Sequence, residues 1–306
     1  MDPNVAHGWL VETERRPGPA GAGIAGAISE RALTVFLAGA ECPFTCTFCD
    51  LWRWSIDGPT PPGALPRQLA AVLRAAAATG AHAERVKLYN ASNFFDRRAV
   101  PLADRPEIAA LCAPFGAVTV ESHASTIGAE TLAFARLLTG RLEVAVGLET
   151  IHPEAAARLN KRLALPRFDR AARFLTEAGV DLRVFVLLGA PHIPVGESVA
   201  WTVRTVEYAA ERGAAAVSII PVRGGNGEMQ RLQALGAFTP PTLAQLEEAL
   251  DRCITFTPAA VAADLWDAAQ LPGCEQCRAA RIERLRRMNV TGSVEARVAC
   301  SMCGLE

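Results

Sequence analysis

The chain has 306 residues, half of them hydrophobic and 21% charged, with nine cysteines and a formal net charge of −1 at pH 7. Length and composition exclude a disordered or polyelectrolyte chain and leave room for one large domain or two ordinary ones. The near-neutral balance argues against wholesale nucleic-acid binding, which usually leaves an excess of basic residues. Lys87 and Lys161 are the only lysines; every other basic residue is arginine. No segment approaches the roughly 20 uninterrupted apolar residues of a membrane span. The first residues carry Asp2, Glu12, Glu14, Arg15 and Arg16 before any apolar run, unlike a secretory leader. A cytoplasmic location is expected, where clustered cysteines more often bind metal or do chemistry than form disulfides.

Residues 1–31, rich in Gly, Ala and Pro, read as an irregular lead-in. Six short apolar runs follow: Leu33–Leu37, Arg85–Tyr89, Ala117–Val120, Leu142–Val146, Leu182–Leu188 and Ala215–Ile220. Each is nearly continuous, as parallel strands covered on both faces are. Helical stretches separate them over Pro66–Ala78, Arg105–Leu111, Ala129–Leu138, Phe168–Ala178 and Gly196–Arg212, and Leu243–Cys253 follows the last run. Six β-α units predict right-handed crossovers and a parallel sheet. Spacing alone leaves an open six-unit barrel and a doubly wound sheet as alternatives. The last fifty residues carry no clear strand pattern but hold four cysteines, and read as a metal-organised appendage.

Cys42, Cys46 and Cys49 make a C-x3-C-x2-C loop directly after the first predicted parallel strand. Three thiolates on one short loop can hold three irons of a [4Fe–4S] cubane and leave the fourth open to a substrate or cofactor. A structural zinc normally takes four ligands, and no histidine lies in the loop.

With the aromatic Phe48 just before the last cysteine, this loop resembles that of the radical S-adenosylmethionine (SAM) superfamily. Lys87–Asp96, Val120-Glu121-Ser122, Gly147-Leu148-Glu149-Thr150 and Leu159-Asn160-Lys161 resemble the archaeosine-synthase radical SAM subunit, the elongator catalytic subunit and oxygen-independent coproporphyrinogen oxidase. The resemblance implies an α/β fold, an open (β/α)6 partial TIM barrel, over 32–254, followed by a cysteine-rich metal-binding extension over 255–306. It implies a [4Fe–4S] cluster on Cys42, Cys46 and Cys49 whose open iron chelates SAM. Reductive cleavage of SAM would then yield a 5′-deoxyadenosyl radical that abstracts hydrogen from substrate, with an electron donor such as flavodoxin or ferredoxin. Cofactor-binding roles fall on Phe48, Asn90, Ser92, Glu121, Glu149 and Lys161. Asn90-Ala91-Ser92 stands where the family often has Gly-Gly-Glu, and Phe185 lies near the place of an acidic ribose ligand, so the chain departs from the pattern at both. His123, His152, His192, Arg223 and Asn226, also at predicted strand ends, are the weaker substrate-binding candidates; the bland reading of each histidine is a cap or a solvated loop residue.

Cys274, Cys277, Cys300 and Cys303 form two C-x2-C pairs, a four-thiolate metal site. A second [4Fe–4S] cluster is the favoured occupant and zinc the alternative. Between the pairs, Arg278–Met288 carries five arginines, a solvated face, a phosphate site or an RNA contact. The expected activity is radical SAM chemistry on a small metabolite or natural-product precursor. Modification of a tRNA base ranks second, and a non-catalytic iron–sulfur or zinc protein that binds RNA or scaffolds a partner is the rival from another class. No membrane partner is expected, and RNA is disfavoured.

Overall fold

The structure, a computed structural model, describes residues 8–16 and 28–304. Eight strands form one sheet in chain order: β1 (Trp9–Arg16), β2 (Ile28–Phe36), β3 (Arg85–Tyr89), β4 (Ala117–Glu121), β5 (Arg141–Glu149), β6 (Asp181–Leu188), β7 (Ala216–Pro221) and β8 (Ala260–Ala263). β2 through β8 pair in parallel, and β1 pairs antiparallel to β2. The sheet curls until its edge strands β1 and β8 touch. Helices connect the strands: α1 (Ala64–Ala78), α2 (Arg105–Leu111), α3 (Ala129–Ala135), α4 (Pro153–Arg158), α5 (Leu165–Glu177), α6 (Ser198–Glu211), α7 (Glu228–Ala234) and α8 (Leu243–Phe256). A last helix, α9 (Arg278–Thr291), follows β8 and packs on both β1 and β8.

The six expected strands are all present as β2–β7, and the sheet gains one strand at each edge. The stretch read as irregular supplies β1, and the stretch read as an appendage supplies β8. β1 escapes an apolar-pattern search because its inward residues are charged. Its alternation is nevertheless regular, with Trp9 and Val11 packing on the core while Glu12 and Glu14 pair with Lys87 and Arg183. β8 is only four residues long, three of them alanine, too short to stand out from its surroundings.

Each strand of the curled sheet has two faces, as alternation requires. Val86, Leu88, Val118, Val120, Val144, Val146, Val184 and Val186 belong to the helix-covered core. Helix α5 answers with Phe168, Ala171, Ala172 and Leu175, three or four residues apart and therefore on one stripe. Cys112 and Cys253 are buried in this core as small apolar side chains.

The opposite face carries charge. Arg85 donates to Glu30 at 2.6 Å and to Thr119 at 2.9 Å, and Glu143 accepts from Arg183 at 2.7 Å. Arg183 reaches Glu14 at 2.9 Å, and Lys87 pairs with both Glu12 and Glu14. Ser218 and Thr34 complete a polar web that touches every strand from β1 to β7. The lower part of the barrel interior is thus filled by paired charge.

Candidate active site

The three-cysteine loop follows β2 and precedes a short 3-10 turn at Leu51–Trp54, so it sits at the C-terminal end of the parallel strands, where such barrels build their sites. All three thiols are partly exposed. The loop is tied down from two directions. Asn160 donates its amide to Thr45 Oγ1 at 2.6 Å, and the Thr47 N–H donates to the Leu159 carbonyl at 3.0 Å. Asn226 donates to the carbonyls of Thr47 at 2.8 Å and Cys49 at 3.2 Å. Phe48 plugs a small apolar cluster that includes Leu159, Leu187, Met229 and Phe238. Asn226 and Phe48 therefore position the cysteine loop.

Asn93, on the loop after β3, donates its amide to Cys42 Sγ at 3.4 Å and accepts the His123 N–H at 2.7 Å. Its neighbours on that loop are unusual. Asn90 is fully buried with neither side-chain atom partnered, and the buried Ser92 hydroxyl is also unpartnered. A buried polar group left unpaired costs about 1–3 kcal/mol. Three such atoms beside a three-thiol loop suit the ammonium and carboxylate of a polar ligand. Ala91, between them, holds a left-handed φ of 53°.

Glu149, which is buried, and Lys161, which is part-buried, pair at 2.6 Å, with Glu149 itself at φ 68°. Gly147 leaves the room for them: a Cβ there would lie 2.1 Å from Glu149 Oε1 and 2.5 Å from Lys161 Nζ. Burial works against the Lys161 charge, but Glu149, Cys46 and Cys42 outweigh it and raise its pKa. Burial also pushes the Cys46 thiol up to about 12 and raises Cys42 and Cys49, with Lys161 opposing the rise at each. Metal binding is what would make these groups thiolates. Glu121, at the end of β4, is raised to about 8 by burial against the pull of Lys161 and Lys87.

His123 stacks on Phe44 of the cysteine loop with ring centroids 4.0 Å apart. Its Nε2 donates to the Lys161 carbonyl at 3.2 Å and its Nδ1 accepts from the Ser125 N–H at 3.1 Å. Burial and then Lys161 lower its pKa to about 4, so it is neutral at physiological pH. The remaining candidates are engaged elsewhere. His152 caps α4 by accepting the Ala155 N–H at 3.2 Å and lies edge-on to Trp201. His192 lies 3.4 Å from Arg158. Arg223 pairs with Asp264 and Asp267, each at 3.1 Å. Trp52 and Trp54 are exposed.

The C-terminal cysteines form a separate group. Cys274 and Cys300 have sulfurs 3.9 Å apart, Cys277 and Cys303 3.8 Å, and all four lie within 4.8 Å of one another. Among the described residues no other group of three or more His, Cys, Asp or Glu is gathered as tightly; the loop thiols are spread wider. The five arginines of α9 are all engaged within the chain. Arg281 donates to Glu247 at 2.8 Å; Arg284 reaches Asp251 and the Glu295 carbonyl, each at 2.7 Å. Arg278 donates to the Ala269 carbonyl at 2.8 Å, Arg287 pairs with Glu295, and Arg286 with Glu283.

No family model matches the chain, and no curated protein matches it in sequence. Solved structures do match. Elp3 from the archaeon Methanocaldococcus infernus superposes with a TM-score of 0.58 over 86% of this chain and 64% of that one, at 13% identity. Streptococcus suis SuiB bound to S-adenosylmethionine gives 0.53 over 80% of this chain and 48% of that one, at 14% identity. Methylornithine synthase gives 0.50 over 86% and 83%, at 15% identity. The chain shares the fold of these three structures. The chain spans about half the length of SuiB.

Within that fold, two contributions were invisible in the sequence: the Asn93 bond to Cys42 and the space at Gly147. Both residues stand in quoted motifs, but each acts through contacts that form only when distant loops meet. Among the described residues no helix is long and apolar enough to cross a membrane.

Proposed function

We propose that this chain is a radical SAM enzyme, with Cys42, Cys46 and Cys49 holding a [4Fe–4S] cluster and SAM lying against Asn90, Ser92, Glu121, Glu149 and Lys161. The observation that carries the reading is the unpartnered, fully buried Asn90 on the loop whose Asn93 touches Cys42. When bound, the cluster and SAM together supply a 5′-deoxyadenosyl radical. The chain's own residues do the rest. The Asn90 carboxamide offers an acceptor to an ammonium and donors to a carboxylate, and the Ser92 hydroxyl serves either. Lys161 supplies a fixed positive charge beside the thiols, and Glu149 can accept from ribose hydroxyls or keep Lys161 in place. Glu121, protonated at neutral pH, is a donor there rather than a second negative charge.

The substrate we favour is a small metabolite or natural-product precursor. SuiB, which shares the fold, has been solved with its precursor peptide SuiA bound. The paired charge in the lower barrel confines substrate to the strands' C-terminal end. An RNA substrate finds less support, because the arginines of α9 are engaged by acceptors of the chain itself. Seven of the nine cysteines gathered as metal ligands suit a reducing compartment such as the cytoplasm. The electron donor expected is a flavodoxin or ferredoxin.

The test is anaerobic reconstitution followed by incubation with SAM and dithionite. Formation of 5′-deoxyadenosine, abolished by Cys46→Ala, is expected; its absence with an intact cluster would sink the proposal.

A further inference from the structure

We propose that Cys274, Cys277, Cys300 and Cys303 bind a single tetrahedral zinc ion that staples the C-terminal tail over the seam of the barrel, in place of a second iron–sulfur cluster. The inference is independent of the radical SAM reading and rests on distances between sulfurs. A zinc–thiolate bond is about 2.3 Å, so the edge of a ZnS4 tetrahedron is about 3.8 Å. The chain sets Cys274 and Cys300 3.9 Å apart and Cys277 and Cys303 3.8 Å apart, with all four sulfurs inside 4.8 Å. A cubane cannot fit this spacing. Each of its thiolates binds a different iron, and the whole iron–sulfide core must lie between them. The cysteines of the first loop, spread wider, are free of this objection.

The surroundings suit a resident ion of fixed charge. Four thiolates around a divalent ion leave a net negative site. Cys277 caps the N-terminus of α9, the positive end of that helix, and Arg281 stands one turn on, anchored to Glu247 at 2.8 Å. The ion would join the turn at 274–277 to the tail at 300–303 across the whole length of α9. That helix covers both edge strands, β1 and β8, which touch without a hydrogen-bonded ladder between them. Arg284 ties the intervening segment to α9 through the Glu295 and Ala296 carbonyls at 2.7 and 3.0 Å. A structural metal here closes a loop that is otherwise held by Arg284 and by the Arg287–Glu295 pair.

The full-length protein, reconstituted anaerobically with iron and sulfide, should contain one zinc per chain beside the iron of the first loop. Its zinc-edge X-ray absorption should give four sulfurs at about 2.3 Å. The triple variant Cys42→Ala, Cys46→Ala, Cys49→Ala should keep the zinc and lose all iron and acid-labile sulfide. Cys303→Ser, altering the exposed ligand, should speed zinc loss to a chromophoric chelator by about tenfold or more without changing iron content. Acid-labile sulfide in the triple variant overturns the proposal, as does wild-type zinc with nitrogen or oxygen ligands, or no zinc at all. An unchanged rate of zinc loss in Cys303→Ser overturns it equally, and neither this nor the wild-type spectrum requires the triple variant to fold.

Discussion

Lys87 is buried and Lys161 part-buried, and both pair with carboxylates, in a protein that otherwise uses arginine for positive charge. Lys161 shows why arginine does not replace it there: a Cβ on Gly147 would come within 2.5 Å of Nζ, so a branched, planar guanidinium has no room. At the SAM site proposed above, Lys161→Arg and Gly147→Ala should therefore both weaken SAM binding, by roughly 10- to 100-fold, the value of a charge-assisted hydrogen bond. Iron content should stay unchanged, because neither residue is a ligand; equilibrium dialysis with labelled SAM and an iron assay give the two readouts. Glu121 carries a second prediction. Its folded pKa of about 8 lies above the ordinary 4.5, so the unfolded chain releases this proton first and stability falls as pH rises from 4.5 to 8. Glu121→Gln cannot ionise. Its advantage in unfolding free energy over wild type should grow across that window and level off above pH 8, as denaturant titrations at several pH values would read. At this scale the sequence was informative about which residues gather, since Glu121, Glu149 and Lys161 all stood in recognisable motifs. It placed Asn93 at a strand end but not its bond to Cys42, which spans 51 positions and depends on two loops meeting.

Elements that bury both faces declare themselves, and those that bury charge do not. β3, with the sequence RVKLY, passed as a strand because Val86, Leu88 and Tyr89 outweigh its buried Arg85 and Lys87. β1, with the sequence WLVETERR, failed because its glutamates look solvated although they meet cations inside the barrel. The arginines of α9 mislead in the same way. Arg284 is fully buried among Glu247, Asp251 and two backbone carbonyls, whereas Arg286 makes only an exposed pair three residues back along the helix. Arg284→Ala removes the 2.7 Å partner of Asp251 and leaves Glu247 to Arg281 alone, and should lose about 3–5 kcal/mol, while Arg286→Ala should change stability by less than about 1 kcal/mol. Thermal melts of the two variants, read against wild type, separate a structural clamp from a solvated basic face. Equal, small effects would restore the surface reading of this helix.

At the scale of the whole molecule, the web inside the barrel decides how the sheet closes and how deep its mouth runs. Glu14 and Glu143 hold the centre of it. Burial alone would raise both carboxyl pKa values, but Arg183, with Lys87 at Glu14 and Arg85 at Glu143, outweighs burial and holds both below the ordinary 4.5. Depressed carboxyl pKa values stabilise fully above 4.5, and that contribution is lost as pH falls through the folded values. Glu14→Gln should therefore be less stable than wild type near neutral pH, by about 3–5 kcal/mol for a buried pair broken from one side, and the gap should narrow as the medium is acidified below 4.5. Removing residues 1–16 goes further, because Lys87 and Arg183 then lose Glu12 and Glu14 together and the seam under α9 opens. That truncation should abolish cooperative unfolding by circular dichroism even though every β-α unit remains in the chain. A truncated protein that still melts cooperatively at the wild-type temperature would make β1 an ornament on the sheet. The polar web would then have to be satisfied by water, and the barrel would be open to substrate through its full depth.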